Sequence, residues 1–133
     1  MTRVALRSSP GWLAPLAWVA LGAIPGALLR WWLANTLLAN TLGCFVVGAA
    51  GLLGTPSTRR KLLVGVGFAG SLTTFSSWIH ALLTLLEQGQ WSRLLSQLPR
   101  DGLLGVAALL LGAAVHRRWS RGPSSPSGAD LRR

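Results

Sequence analysis

One polar stretch inside an apolar segment, residues 67–78, holds the side chains best suited to binding an ion. It contains two glycines and five hydroxyl residues, together with aromatic side chains. Glycines and β-branched threonines predict a broken helix, and a break at membrane depth frees backbone groups that can line a site. Freed carbonyls can bind a cation, whereas hydroxyls and the positive edges of aromatic rings can face an anion. The alternative is a tightly packed polar helix without a binding role.

Two further polar residues, Asn40 and Arg30, belong to other apolar segments. The amide of a buried asparagine offers two N–H donors that can replace water around a small anion. Asn40 can equally form a structural hydrogen bond between helices, which is common in membranes. Arg30 can attract an anion to a vestibule, or it can extend its guanidinium to the membrane surface.

The sequence gives little support for proton-coupled cation transport, for a metal site built from His and Cys, or for enzymatic catalysis. The first three apolar segments contain no Asp or Glu, because Glu87 follows the third, and this disfavours a proton-coupled cation carrier. His80, His116 and Cys44 show no metal-ligand spacing. No nucleophile and base pair, phosphate-binding loop or cofactor motif is present, so the sequence does not predict an enzyme.

The composition indicates a membrane protein. Half of the 133 residues are hydrophobic and 12% are charged, whereas soluble domains carry about 25% charged residues. A formal net charge of +10 is compatible with nucleic-acid binding. The basic residues lie between apolar segments rather than along a polar face, however, so they are better explained as charges flanking membrane spans. No nucleic-acid partner is predicted, and the lipid bilayer is the expected environment.

Uncharged runs long enough to cross a bilayer, which needs about 20 residues, predict four transmembrane helices. Asn35 and Thr36 are natural helix-start residues and mark the start of the second helix. The predicted helices span approximately residues 12–33, 36–54, 62–86 and 94–116. We therefore predict an all-α integral membrane protein: a four-helix domain over residues 1–116, with the third helix broken at the bilayer midplane, and a disordered basic tail over residues 117–133.

Basic residues are distributed unequally between the two sides of the membrane. An even number of spans places both termini on one side, which collects ten of the 13 Lys and Arg residues. The three on the opposite side are Arg30, Arg93 and Arg100. The positive-inside rule then predicts cytoplasmic termini, one fixed orientation and a multi-pass protein of the bacterial inner membrane.

Three motifs on successive predicted helices resemble those of the Fluc (CrcB) family. The first is Gly-Ala-x-x-Arg at residues 26–30. The second is the family pattern Gly-Thr-Leu-x-x-Asn-x-x-Gly-x-Phe at residues 35–45, where Asn35 replaces the first glycine. The third is the family pattern Gly-Phe-x-Gly-Gly-x-Thr-Thr-Phe-Ser-Thr-Phe at residues 67–78, where Ser71, Ser77 and Trp78 replace a glycine, a threonine and a phenylalanine. The resemblance covers nearly the whole chain apart from the tail.

The resemblance implies a passive, fluoride-selective ion channel that exports fluoride and relieves its toxicity. Members of this family assemble as antiparallel dimers, with pores at the subunit interface and a structural sodium ion (Na+) at the dimer centre. Carried over by motif, the implied pore-lining residues are Asn40, Phe75, Thr74, Ser76, Trp78 and Arg30. The implied sodium ligands are the backbone carbonyls of Gly70 and Thr73.

The unequal distribution of basic residues bears on whether the expected antiparallel dimer can consist of two copies of this chain. A chain with one fixed orientation cannot supply both halves of an antiparallel dimer, so we expect a homologous, oppositely oriented partner subunit. Trp78 replaces a family phenylalanine, and Ala81 stands where many members have glutamate, so one pore of the assembly could be altered or closed. The alternative function is a membrane scaffold or assembly subunit without transport. A small multidrug carrier is disfavoured by the lack of an intramembrane carboxylate.

Overall fold

The computed structural model describes residues 13–121, and all regular elements within this range are helices. They are α1 (Leu13–Leu33), α2 (Thr36–Ala49), α3 (Thr58–Arg60), the π-helix π1 (Lys61–Ala69), α4 (Gly70–Leu72), α5 (Phe75–Glu87) and α6 (Trp91–Ser120). Three stretches are long and apolar enough to cross a membrane, namely Leu13–Leu33, Thr58–Glu87 and Trp91–Ser120. Together with the shorter apolar helix α2, they form a multi-pass membrane protein of four helical spans.

The start of α2 is set by a side-chain cap at Asn35, and the helix begins at the residue that the sequence indicated. Asn35 has an extended backbone, and its Oδ1 accepts a hydrogen bond of 2.9 Å from the N–H of Leu38. The short connection from α1 places Ala34 in the left-handed region, with φ = 49°. Because asparagine is among the most favourable N-cap residues, α2 begins directly after it, at Thr36.

The end of α2 differs from the prediction of 36–54. The helix stops at Ala49, because Gly51 adopts a left-handed backbone with φ = 68° and its N–H bonds back to the Gly48 carbonyl at 3.0 Å. A glycine in this conformation terminates a helix without a Cβ penalty. With 14 residues, α2 is about 21 Å long, shorter than the roughly 30 Å of a bilayer core.

The third span, Thr58–Glu87, is longer at both ends than the predicted 62–86. Its start is set by Ser57, whose Oγ accepts a hydrogen bond of 3.4 Å from the N–H of Arg60. The span continues through π1, whose wider turns close with hydrogen bonds between residues five apart. π-Helical turns are rare and frequently lie at functional sites, and π1 leads directly into the polar part of the span.

Helical backbone geometry stops at two residues within this span. Thr73 has φ = −83° and ψ = 153°, and Thr74 has φ = −147° and ψ = 120°, so both are extended. Helix α5 begins at Phe75, with Thr74 as its N-cap. Both threonines are β-branched, which favours extended over helical backbone, so the local sequence supports this conformation.

Helix α6, Trp91–Ser120, extends beyond the predicted 94–116 at both ends. Gly89, with φ = 67°, makes the turn that separates α6 from α5. Basic residues in the last turn complement the negative pole of the helix, so α6 continues through Arg117 and Arg118. Residues 117–120, which were predicted to belong to the disordered tail, are therefore helical. The rest of the predicted tail, residues 122–133, lies outside the described residues, as do residues 1–12.

Glycines bring the helix backbones into direct contact at two places. A Cβ at Gly22 of α1 would overlap the Leu63 carbonyl of π1, and a Cβ at Gly112 of α6 would overlap the Phe45 carbonyl of α2. Small residues at such positions allow the close van der Waals packing that holds membrane helices together. As a result, α1 packs on π1 and α4, and α2 packs on α6.

Large apolar side chains face outward. The buried hydrophobic residues of the described range number five, and three of them are alanines. By contrast, Leu21, Ile24 and Leu103 are 60%, 61% and 69% exposed. A soluble protein buries most such side chains, so this surface is suited to an apolar solvent, as expected for helices that face lipid.

We expect a β-carbon at Gly112 to separate α6 from α2. The substitution Gly112→Ala should lower the free energy of unfolding by about 1–3 kcal/mol, the usual cost of overpacking a tight contact. Gly102→Ala is the matched control on the same helix, because a Cβ there meets nothing within 4 Å. Thermal unfolding in detergent measures both variants. Equal unfolding temperatures would contradict the packing.

Candidate functional site

The side chain of Asn40 holds the extended residue Thr74 across the contact between α2 and the third span. The Thr74 N–H donates to Asn40 Oδ1 at 2.8 Å, and Asn40 Nδ2 donates to the Thr74 carbonyl at 3.2 Å. One amide side chain thus satisfies both backbone groups of Thr74. In an apolar solvent each unsatisfied backbone group costs several kcal/mol, so Asn40 makes the interruption of the helix tolerable.

The same arrangement leaves two backbone carbonyls without their helical partners. In a continuous helix the N–H of Thr74 would bond to the Gly70 carbonyl, and the N–H of Ser77 to the Thr73 carbonyl. Here the Thr74 N–H donates to Asn40 instead, and the Ser77 N–H donates to Thr74 Oγ1 at 3.3 Å. Within residues 13–121 these two carbonyls are therefore available to another ligand, and Gly70 is exposed at the surface.

Hydroxyl groups connect the interruption to Arg30 on α1. Arg30 Nη2 donates to Ser77 Oγ at 2.9 Å, and Ser77 Oγ also accepts a hydrogen bond of 3.3 Å from Thr74 Oγ1. Ser76 Oγ and Thr74 Oγ1 share a hydrogen bond of 3.2 Å. Arg30 is thus anchored by a neutral hydroxyl, and no carboxylate of the described residues forms a salt bridge with it.

A cavity of about 380 Å³ opens beside Asn40 and Thr74, between α2, α5 and α6. Phe75 and Trp78 line it from α5, with ring centroids 5.7 Å apart and an angle of 46° between the ring planes. The side chain of Phe75 is 73% exposed. Its ring edge can therefore face a ligand or a partner subunit.

Asp101 of α6 brings a carboxylate into this cavity. Its side chain is 7% exposed, and its Oδ2 accepts a hydrogen bond of 3.0 Å from Trp78 Nε1. Its Oδ1 accepts a second hydrogen bond of 3.0 Å from Arg100. A buried carboxylate requires such partners. Trp78 and Arg100 therefore both fix the position of the Asp101 carboxylate, and the positive charge of Arg100 offsets its negative charge.

Arg30 lines a second cavity, of about 570 Å³, at the connection between α1 and α2. Trp31, Asn35 and Thr36 form part of its wall, and Ser71 contributes from the third span. A positive charge in a cleft of this kind concentrates anions near it. This cavity is therefore suited to attracting an anion rather than a cation.

The donor set for a cation consists of oxygen atoms. Within residues 13–121, no three His, Cys, Asp or Glu side chains lie close enough together to hold a metal ion. The available oxygens are the carbonyls of Gly70 and Thr73 and the neighbouring hydroxyls. Neutral oxygen donors of this kind suit alkali and alkaline-earth cations better than transition metals.

Most of the predicted site residues lie close together in the structure. The 380 Å³ cavity is lined by Asn40, Thr73, Thr74, Phe75 and Trp78. Arg30 lines the other cavity and contacts the cluster through Ser77. Ser76 lines neither cavity but bonds to Thr74. Gly70 lies one turn before the interruption and outside both cavities.

Two residues of this cluster, Asp101 and Ser77, were not among the predicted site residues. The sequence does contain a signal for Asp101, because it follows Arg100 directly at the start of an apolar run, and a carboxylate at membrane depth is expensive and therefore functional or paired. The contact of Ser77 with Arg30 joins residues 47 positions apart. No rule of local spacing indicates such a contact.

These features define a class of protein, a multi-pass helical membrane protein with a polar, asparagine-anchored interruption in its third span. A family model described as "CrcB-like protein, Camphor Resistance (CrcB)" matches residues 17–113. The chain belongs to this family, as the motif resemblance predicted.

Several relatives in this family carry a functional name. The fluoride-specific ion channel FluC 2 of Parasynechococcus marenigrum (strain WH8102) is 46% identical over 120 residues, which cover 86% of this chain and 89% of the relative. The protein of the same name from Prochlorococcus marinus (strain MIT 9313) is 54% identical over 97 residues, covering 68% of this chain and 74% of the relative. The fluoride-specific ion channel FluC of Koribacter versatilis (strain Ellin345) is 32% identical over 117 residues, which cover 75% of this chain and 93% of the relative.

We expect the hydrogen bond between Trp78 and Asp101 to stabilise the contact of α5 with α6. Trp78→Phe should lower the free energy of unfolding by about 1–3 kcal/mol, because the buried carboxylate loses a donor. Trp119→Phe is the control, because Trp119 is 86% exposed. In an Asp101→Ala background the Trp78 substitution should cost much less, since the acceptor is gone. Thermal unfolding in detergent gives these values, and an unchanged cost in that background would disprove the role of the bond.

Proposed function

We propose that this chain is a subunit of a fluoride-selective ion channel, which exports fluoride passively across the bacterial inner membrane and relieves fluoride toxicity. Its relatives are named fluoride-specific ion channels, and the chain is accordingly not an enzyme. The observation that carries the proposal is the pairing of Asn40 with the extended Thr74, beside the exposed ring of Phe75.

The donors around this pairing are suited to a small, strongly hydrated anion. Asn40 Nδ2 carries two N–H groups, and one of them is used by the Thr74 carbonyl. The second N–H, the serine hydroxyls and the positive ring edge of Phe75 can replace water around fluoride. Such neutral donors bind weakly enough to permit exit, which conduction requires. The proposed pore-lining residues are Asn40, Thr74, Phe75, Ser76 and Trp78, with Arg30 near the entrance.

We propose in addition that the carbonyls of Gly70 and Thr73 hold a structural sodium ion. Their helical partners are diverted, and Gly70 lies at the surface where a second subunit can approach. Two carbonyls from each of two subunits would supply four oxygen ligands at the centre of a dimer, a donor type that suits hard cations. A cation held there would attract anions to the neighbouring pore.

The distribution of charge supports one orientation, with both termini in the cytoplasm. One end of the described bundle carries Arg59, Arg60, Lys61, Arg117, Arg118 and Arg121. The other end carries Arg30, Arg93 and Arg100. By the positive-inside rule the first end faces the cytoplasm.

An exposed polar site supports an antiparallel dimer with a homologous, oppositely oriented subunit. The carbonyl of Gly70 and the ring of Phe75 would meet lipid in a lone chain, and an unsatisfied carbonyl is costly there. A second subunit would cover both.

Asn40→Asp replaces the N–H that bonds to the Thr74 carbonyl with a negatively charged oxygen. We expect fluoride efflux from liposomes to fall by about a hundredfold or more, since a like charge at about 4 Å costs about 4 kcal/mol at an effective dielectric constant near 20. Gln88→Glu is the matched control, because Gln88 is exposed, lines neither cavity and only accepts a hydrogen bond at Oε1, so it gains the same charge away from the proposed pore. Phe75→Ile should also reduce efflux. If Asn40→Asp and Phe75→Ile both conduct like the parent, the pore is wrongly assigned and the scaffold function is favoured.

The need for a partner subunit is tested by expressing this chain alone. We expect little self-dimer and little fluoride efflux from liposomes, because the charge bias gives every copy the same orientation. Co-expression with a homologous subunit of opposite charge bias should restore both dimer and efflux, as measured by crosslinking and a fluoride electrode. Full activity from this chain alone, with crosslinks that join only its own copies, would rule out the requirement.

A further inference from the structure

A third cavity, of about 380 Å³, lies between the end of α2, the connection to α3 and the last turns of α6. Arg60, His116 and Arg117 line it. It shares no lining residue with the two cavities described above, so it is separate from the proposed pore. Its volume falls within the range of about 300–1,000 Å³ that small-molecule sites usually have.

The two arginines of this cavity have no acidic partner in the part of the chain that the structure describes. The whole chain contains three carboxylate side chains, those of Glu87, Asp101 and Asp130. Asp101 pairs with Arg100, which is the one salt bridge within residues 13–121. Two guanidinium groups that converge on a cavity without a carboxylate favour an anionic ligand, since their charges otherwise repel each other.

The cavity is kept open by glycines and shaped by His116. A Cβ at Gly54 would meet only the Gly51 carbonyl, at 3.8 Å, so this position faces open space. The ring of His116 packs against Gly51, which has no side chain to displace it. His116 Nε2 and Ser120 Oγ are 3.4 Å apart and share a hydrogen bond, which helps to fix the ring. The ring of His116 is thus held in the wall of the cavity by packing, beside the two exposed arginines.

We infer that this cavity binds the phosphate group of a ligand with a net negative charge. Guanidinium groups match phosphate oxygens in both charge and geometry. The cavity lies at the basic end of the bundle, which faces the cytoplasmic leaflet under the positive-inside rule, and basic pockets between membrane helices bind anionic lipid headgroups there. Leu53, 59% exposed, adds an apolar edge beside the arginines. A lipid phosphodiester is therefore the favoured ligand, and free phosphate shares the same chemistry.

Native mass spectrometry of the full-length chain in a neutral detergent tests this site without any measurement of fluoride. The probes are phosphatidylglycerol, phosphatidylcholine, which has the same phosphodiester but no net charge, and inorganic phosphate. We expect one phosphatidylglycerol to bind saturably and about tenfold more tightly than phosphatidylcholine, because the choline cation of the latter is repelled by the two arginines. Saturable binding of inorganic phosphate with no preference for the anionic lipid would assign the site to the free anion. Equal binding of both lipids, with no binding of phosphate, would overturn the inference.

Two variants and a matched control locate the site. The double substitution Arg60→Gln with Arg117→Gln should weaken phosphatidylglycerol binding by about tenfold or more. Lys61→Gln with Arg118→Gln removes the same charge from adjacent positions that do not line the cavity, so it should leave binding within about twofold of the parent.

Gly54→Leu fills the cavity and leaves every charge in place, so it should weaken binding even if the arginine variant fails to fold. Equal losses in the two double variants would show diffuse attraction between the basic end and anionic lipid. That outcome, or unchanged binding by Gly54→Leu, would overturn the site.

Discussion

The reciprocal hydrogen bonds between the Asn40 amide and the backbone of Thr74 are the interaction on which the site depends. Two extended residues within a membrane span need partners for their backbone groups, and lipid offers none. Asn40 supplies partners for Thr74, and the hydroxyl of Thr74 in turn caps α5. The bond that satisfies the Thr74 N–H also diverts it from the Gly70 carbonyl. One contact thus stabilises the interruption and creates an available carbonyl.

This contact requires α2 to lie very close to its neighbours, and small residues on α2 make that possible. A Cβ at Gly43 would overlap the side chain of Thr73, so a larger residue there would push α2 away from the interruption. On another face of the helix, Gly48 meets the backbone of α6 at Leu109. Because α6 carries Asp101 to the site, the glycines of α2 position polar groups on two elements at once. The close packing of the helices therefore also determines the geometry of the site.

Local signals in the sequence predicted the structure best. The cap at Asn35 placed the start of α2, because a cap and its partner lie three residues apart. Composition singled out residues 67–78, and both extended threonines lie within that stretch. The end of α2 was placed too late, because an apolar run that contains Gly51 does not reveal the sign of its φ. The contact of Arg30 with Ser77 joins residues on separate helices, so it depends on packing that no local pattern encodes.

The fixed charges near the site are balanced in a way that favours anions. Asp101 would repel an anion in the cavity that it lines, but Arg100 lies 3.0 Å away and offsets its charge. Arg30 bonds to the neutral hydroxyl of Ser77, so among the described residues its positive charge is not offset. Among the described residues, Arg30 is therefore the charged side chain bonded to the interruption that has no opposite charge as partner, and the groups beside Asn40 that would contact an ion are neutral. A full positive charge on those groups would bind an anion too tightly to release it. In the proposed channel, separating the attracting charge from the contacting donors would let anions enter the site and leave it again.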